Sequence, residues 1–266
     1  MSHNKTNMYD LEPHIAEIYD QVETYSDDVE LIRKLIDDRG SLQILEPFCG
    51  TGRILIPLAL DGHEIVGFDQ AKGMLDSALS KVRQLPEQVQ NRISLHEADV
   101  IADEWPTGFD LVVLGGNCFY ELATPEEQEQ CIVSAATSLS PGGYIYLDNN
   151  HMEGTLHETW QQLDVHENAF PTGTCTDGTY IQARRTRIWF DITRRLVRYR
   201  RSMTITFQDG STKTEEYLVQ CHPPSKVEMQ TWLESHGFTV NQVYGNRAGN
   251  LYNEESPRAI FWAEKK

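Results

Sequence analysis

Between one apolar run that ends at Glu46 and another that opens at Leu55, the chain reads Glu46-Pro47-Phe48-Cys49-Gly50-Thr51-Gly52-Arg53. Two glycines one residue apart let a turn fold tightly and let a ligand approach its backbone where no Cβ intervenes. Asp69 ends the next apolar run, 23 residues after Glu46, and Asp99 ends the one after it. An acid in that place can accept hydrogen bonds from both hydroxyls of a ribose. The chemistry suggested is the binding of a nucleoside.

The kind of nucleoside follows from what the loop lacks. A dinucleotide site would need a small residue at position 55 for close helix–strand packing, and the chain has Leu55. A phosphate loop would need Lys-Ser or Lys-Thr after its glycines, and neither follows. Glu46, Asp69 and Asp99 together make an electronegative rim. That rim repels phosphates and suits a ligand bearing a sulfonium, an ammonium and an amino-purine, which is S-adenosylmethionine. Taken singly, each acid could simply cap the turn that follows it; combined with the Gly-x-Gly turn, the three point to one ligand.

The elements that must position these residues are legible as periodicity. From Leu42 the segments LQILE, RILIPLAL, HEIVGFD, AKGMLDSALSKV, RISLHEAD, FDLVVLGG, PEEQEQCIVSAATSL and YIYLDN alternate strand and helix. This is the pattern of a parallel sheet covered on both faces. Thr124-Pro125-Glu126 reads as a cap, first-turn proline and acid; Gly62 follows the first helix, and Pro141-Gly142-Gly143 turns the chain before Tyr144. From about 179 to 222 the runs are β-branched and aromatic, and Asp209-Gly210 is a hairpin signal, so an antiparallel meander is expected. SKVEMQTWLESHG predicts a helix closed by Gly237, followed by two last strands, FTVNQVYG and RAIFWAE. Residues 1–40 read as one or two helices. The expected fold is α/β, a Rossmann-like, seven-stranded, mostly parallel sheet with helices on both faces plus an inserted antiparallel sheet. Its segments are a lid and cofactor-binding core over 1–150, a substrate-covering insertion over 151–222, and a closing helix and strand pair over 223–266.

Composition narrows the partners. Forty acidic residues against 23 Lys and Arg give a net charge of −17, which repels a phosphate backbone or an anionic membrane surface. No apolar stretch reaches the roughly 18 to 20 residues of a membrane span, and MSHNKTNMYD does not resemble a signal peptide, so a cytoplasmic location is expected. The five cysteines include no CxxC pair, which argues for reduced thiols and against a metal site. Eight arginines lie between Arg184 and Arg201. They read as the solvated face of the meander, paired with Asp191, Glu215 and Glu216, with one of them able to reach inward to an anionic substrate.

The series ILEPFCGTGR, GFDQAKGML, LHEADV, FDLVVLGGNCFYEL and LSPGGYIYLD resembles the motifs of class I S-adenosylmethionine-dependent methyltransferases over residues 42–150. The closing HGFTVNQVYG and SPRAIFWAEK resemble that family's last strand pair. The resemblance implies that Gly50 and Gly52, in the loop with Arg53, pass beside the methionyl part of the cofactor. Asp69 would hold the ribose, Gln70, Asp99 and Val100 would lie by the adenine, Asn117 near the sulfonium, and Glu46 would anchor the turn. GNCFYEL and the insertion are similar to N-methyltransferases of the glycine and sarcosine type, whose Asp-His-Arg-Asn run appears here as Asp148-Asn149-Asn150-His151. Asn150 replaces the arginine that grips a carboxylate, which argues against glycine as substrate.

Methyl transfer from a sulfonium is an in-line displacement, so positioning supplies most of the rate and a general base is optional. His151 and His222 are the candidates for a base, and Asn149 belongs to the same loop. Tyr9, Tyr19 and Tyr25 could close over the cationic sulfonium as an aromatic lid or pack an amphipathic helix. The expected function is methyl transfer to a nitrogen or oxygen of a small molecule. The alternatives are a methyltransferase of RNA or protein and a non-catalytic binding module.

Overall fold

A computed structural model describes residues 8–152 and 164–266. After a short turn at Met8–Asp10 come helices α1 (His14–Val22) and α2 (Asp27–Ile36). The core follows as β1 (Gln43–Pro47), α3 (Leu55–Leu60), β2 (Glu64–Asp69), α4 (Lys72–Val82), α5 (Glu87–Gln90), β3 (Ile93–Glu97), β4 (Phe109–Leu114), α6 (Pro125–Ser138) and β5 (Leu139–Asn150). Four strands come next, β6 (Val165–Thr174), β7 (Tyr180–Asp191), β8 (Leu196–Thr206) and β9 (Thr212–Cys221). Helix α7 (Lys226–Ser235) and strands β10 (Phe238–Tyr244) and β11 (Arg258–Lys265) close the chain.

The main sheet has the order β10-β11-β5-β4-β1-β2-β3, with β1 to β5 parallel and β11 antiparallel to both β5 and β10. Its central strands are apolar without interruption because successive side chains feed opposite layers. Leu111 and Val113 of β4 pack beneath α2 and α3 with Ile32, Leu55 and Leu58. Val112 and Leu114 pack beneath α6 and α7 with Ile132, Ala135 and Leu233. The helix signals act where the sequence places them: Thr124 accepts the Glu127 N–H ahead of Pro125, and Ser225 and Glu228 form a capping box. Pro141-Gly142-Gly143 is absorbed into a strand that is continuous from Leu139, with Gly142 at φ +78°.

The antiparallel sheet has the order β6-β7-β8-β9 and contains one strand more than the meander expected from residue 179. The extra strand, β6, carries register shifts after Glu167 and Ala169 that erase the alternation by which a strand is read. Asp209-Gly210 forms the β8–β9 hairpin as expected, with Gly210 at φ +81°. Ile15 and Ile18 of α1 are fully buried against Ile181, Met203 and Ile205 of this sheet. Each such side chain contributes about 1.5–3 kcal/mol of burial. The opposite side of α1 packs Ala16 and Tyr19 against Ala71 and Met74 at the start of α4. Helix α1 therefore joins the inserted sheet to the carboxyl edge of the main sheet. Among the described residues, no helix is long and apolar enough to cross a membrane.

Candidate functional site

Strand order reverses between β1 and β4, and it is outside the carboxyl ends of the strands at such a point that open α/β sheets bind ligands. The turn after β1 is built for close approach. Phe48, Gly50 and Gly52 all have positive φ, +59°, +53° and +83°. A Cβ at Gly52 would come within 3.0 Å of Ile56. The turn is pinned at both ends: the Cys49 N–H donates to the Phe68 carbonyl at 3.1 Å, and the Gly50 N–H donates to Asp69 Oδ2 at 2.9 Å. Asp69 Oδ1 accepts from the Ala71 N–H at 2.8 Å. Burial pushes the Asp69 carboxyl up to about 6 despite these hydrogen bonds.

A cleft partly open to solvent lies over this turn. Of the residues expected from sequence, Glu46, Gly50, Arg53, Asp69, Gln70 and Tyr19 line it. Tyr9, expected as part of a lid, lines it too, and one carboxylate was missed. Glu121, in the turn after β4, faces into the cleft and accepts a hydrogen bond from the Tyr9 hydroxyl at 2.9 Å. Burial pushes the Glu121 carboxyl up, against the pull of that hydroxyl and of the Arg201 charge. The acid inside GNCFYEL was the available signal for it. Burial also pushes Glu46 well above the usual carboxylate range, against the pull of Arg53, and its Oε2 is buried without a hydrogen-bond partner.

The remaining expected residues lie elsewhere. Asp99 does not line the cleft: its Oδ1 accepts from the Ile101 and Ala102 N–H groups, the local capping role that an acid after a strand can fill. Val100 is packed with Phe68 and Trp105 in the core. Asn117, in the left-handed region, ties β4 to β5 by accepting the Asn150 N–H at 2.8 Å. Tyr25 is not among the lining residues; its ring is held between Arg53 and Arg247, whose Cζ atoms lie 4.1 and 4.2 Å from its centroid. Asn149 is fully buried in β5, with its Oδ1 unpartnered. His151 stacks on Tyr252 and shares a 3.0 Å hydrogen bond with its hydroxyl.

His222, the other candidate base, is not among the residues lining the cleft. Its ring is 1% exposed, with Nδ1 2.6 Å from Gln128 Oε1 and Nε2 3.5 Å from Glu228. It knits β9 to α6 and α7, and its backbone N–H donates to the Leu122 carbonyl, next to Glu121. Burial opposes ionisation of Glu228, but hydrogen bonds from His222 and Ser225 hold that carboxyl down at about 2. The arginine-rich strands also depart from expectation. Arg184 pairs with Glu167, while Asp191 accepts from its own turn and Glu215 pairs with Lys213.

Behind the cleft runs a buried chain of charges. Asp28, fully buried, holds Arg53 at 2.6 Å and lies 3.7 Å from Arg247, which reaches Asp148 at 2.8 Å; Asp148 is also 2.5 Å from Arg258. Asp28 comes from α2, Arg53 from the β1 turn, Asp148 from β5 and Arg247 from the loop after β10. The network sets the position of Arg53 beside Glu46.

These groups fit S-adenosylmethionine. Glu46 Oε2, unpartnered among the described residues, and the carboxyls of Asp69 and Glu121 offer oxygens to the ammonium of such a ligand, with Tyr9 and Tyr19 in the same lining. Arg53 lies in the same cleft as a cation for a carboxylate. Glycines at 50, 115 and 116 keep the floor of the cleft low.

Residues 44–143 match a family described as a methyltransferase domain. A Geobacillus sp. protein carrying the name putative methyltransferase is 23% identical over 230 residues, 85% of this chain and 86% of that protein. The 23S rRNA uracil methyltransferase RlmD of Bordetella parapertussis is 30% identical over 147 residues, 52% of this chain and 28% of that enzyme. Among solved structures, the methyltransferase CcbJ of Streptomyces caelestis matches with TM-score 0.71 at 17% identity, covering 97% of this chain and 98% of that one. The sugar N-methyltransferase KedS8 of Streptoalloteichus sp. matches with TM-score 0.68 at 15% identity, over 100% and 99%.

Proposed function

We propose that this chain, a class I S-adenosylmethionine-dependent methyltransferase, methylates a nitrogen or oxygen of a small molecule enclosed beneath its inserted sheet. The observation that carries this reading is that one wall of the cleft rests on the inserted sheet. Tyr9 and Tyr19 line the cleft from the N-terminal segment, and α1, which carries Tyr19, is packed on the four-stranded sheet. A cleft walled in this way favours a compact acceptor over a folded RNA or protein, and the net charge of −17 disfavours RNA further.

Bound S-adenosylmethionine supplies an electrophilic methyl group. The chain's own contribution is to bind, orient and exclude water. Asp69 would accept hydrogen bonds from the ribose, Arg53 would hold the methionyl carboxylate, and Glu46 and Glu121 would stand near the cationic part. Glu121 also offers a carboxylate to an acceptor amine, and Tyr9 fixes its orientation. That arrangement favours nitrogen over oxygen, in keeping with KedS8, a sugar N-methyltransferase. The lid and core of 1–150, the covering segment 151–222 and the closing segment 223–266 act as one unit in this reading. Part of the covering segment, 153–163, lies outside the described residues.

The test is release of S-adenosylhomocysteine with panels of small amines, phenols and acids, and separately with tRNA and a peptide pool. Turnover on a small amine supports the proposal. Turnover confined to tRNA or peptides overturns it, and binding without turnover on any panel favours a non-catalytic module.

A further inference from the structure

The inner face of the four-stranded sheet is apolar at both ends. Ile181, Met203 and Ile205 pack beneath α1 at one end, and Val197, Tyr199 and Cys221 pack at the other. Between them, Arg185 of β7 and Arg201 of β8 stand directly opposite each other, with Tyr217 of β9 completing the row. Like charges in that relation destabilise a sheet. The Nε atoms of both are buried without a hydrogen-bond partner, and among the described residues neither guanidinium takes part in an ion pair within 4.0 Å. Their neighbour Arg184, on the outer face, has Glu167 at 2.9 Å. What holds the inner pair is weaker than an ion pair: Arg185 lies 4.9 Å from the Tyr199 ring centroid, and Arg201 points Nη1 at Met8 Sδ, 2.8 Å away, with the Tyr217 hydroxyl beside it and the Glu121 charge beyond 4.0 Å.

The row adjoins the cleft. The Tyr199 hydroxyl is 3.2 Å from that of Tyr120, and the next residue, Glu121, lines the cleft. An anion with two or more oxygens entering here would receive paired donors from two planar forks and relieve the repulsion between them. We propose that Arg185 and Arg201 form a subsite for a carboxylate or phosphate-type group of the methyl acceptor, at the end away from the methylated atom. The subsite rests on the small-molecule reading above and adds to it that the acceptor carries an anion.

The test is calorimetric titration of the full chain, loaded with S-adenosylhomocysteine, with pyrophosphate, inorganic phosphate and acetate. The wild type is expected to bind at least one of them, the tightest probe telling a phosphate-type from a carboxylate subsite. Arg185→Gln and Arg201→Gln should each weaken that binding by about tenfold or more. The outward control Arg184→Gln should leave it unchanged. S-adenosylhomocysteine affinity reports that each variant is folded; should a glutamine variant lose it, Arg185→Lys and Arg201→Lys, which keep the charge and lose the fork, carry the same comparison. A wild type that binds none of the three anions, or inward variants that bind them as well as the wild type, would overturn the subsite. Methyl transfer to an amine without any anion, combined with no anion binding, would overturn the subsite and leave the proposed function standing. Anion binding with no turnover would do the reverse.

Discussion

Asp69 accepts the Gly50 N–H at 2.9 Å, so the acid that ends β2 also fixes the turn after β1. The ribose acceptor and the glycine turn are one assembly. Replacing Asp69 removes the hydrogen bonds to a ribose and one support of the turn together. Asp69→Ala should weaken S-adenosylhomocysteine binding by on the order of 1–3 kcal/mol, roughly tenfold to a hundredfold. Calorimetry showing wild-type affinity in this variant would remove Asp69 from the site.

The same carboxyl predicts a pH dependence. Its folded value of about 6 lies above the ordinary 3.8. Between those values the folded chain holds the proton more readily than the unfolded one, so this group's contribution to stability falls as pH rises through that window. Cofactor binding runs the other way, because the ionised carboxylate is the better acceptor for hydroxyls. Affinity for S-adenosylhomocysteine should decline below pH ~6, by at most about tenfold per unit. Asp69→Asn should abolish that slope; an equal slope in both proteins would assign it to another group.

Leu55 occupies a position where a dinucleotide fold needs a small residue, and the strand beneath compensates. A Cβ on Gly67 of β2 would meet Leu55 Cδ2 at 2.9 Å, Cys49 Cβ at 3.0 Å and Leu95 Cδ2 at 3.0 Å. Gly67→Ala should therefore cost about 1–3 kcal/mol by overpacking. Chemical denaturation measures it, and an unchanged midpoint would show that the three neighbours can move apart.

His151 and His222 should separate cleanly. His222→Ala leaves buried partners on Gln128 unsatisfied and should cost about 1–3 kcal/mol of stability. Surviving folded His222→Ala should turn over normally. His151 is kept as the base candidate because it follows β5, at the carboxyl edge where such sheets bind ligands, so His151→Ala should reduce turnover with little change in melting temperature or cofactor affinity. A drop in turnover for folded His222→Ala, or none for His151→Ala, would reverse these assignments.

The core was readable because burial on both faces writes parallel strands such as FDLVVL as uninterrupted apolar runs, and because Thr124-Pro125 and Asp209-Gly210 mark boundaries by local chemistry. The Gly50 to Asp69 assembly was readable for the same reason: each member sits at a fixed offset from a strand end. What sequence could not reveal depends on convergence. Asp28, Arg53, Asp148 and Arg247 come from four separate elements, and nothing local marks them as neighbours. Asp99 is ambiguous in sequence because capping a turn, which it does here, and binding a nucleoside ask for the same residue in the same place. Arg185 and Arg184 differ only in which side of a strand they face, and the register that decides it passes through the bulges of β6 and β7.

The charge chain from Arg53 through Asp28, Arg247 and Asp148 to Arg258 also constrains how this chain can drift. Losing one member strands an uncompensated ion in the interior, at a cost of about 3–5 kcal/mol, whereas losing neighbouring members together is far cheaper. These positions should therefore show strong epistasis: Asp148→Asn should be more damaging alone than in an Arg247→Gln background, a difference that a double-mutant cycle in denaturant reads directly. A lineage leaving this arrangement would have to exchange its charges in concert, through intermediates that a protein of ordinary stability could barely tolerate.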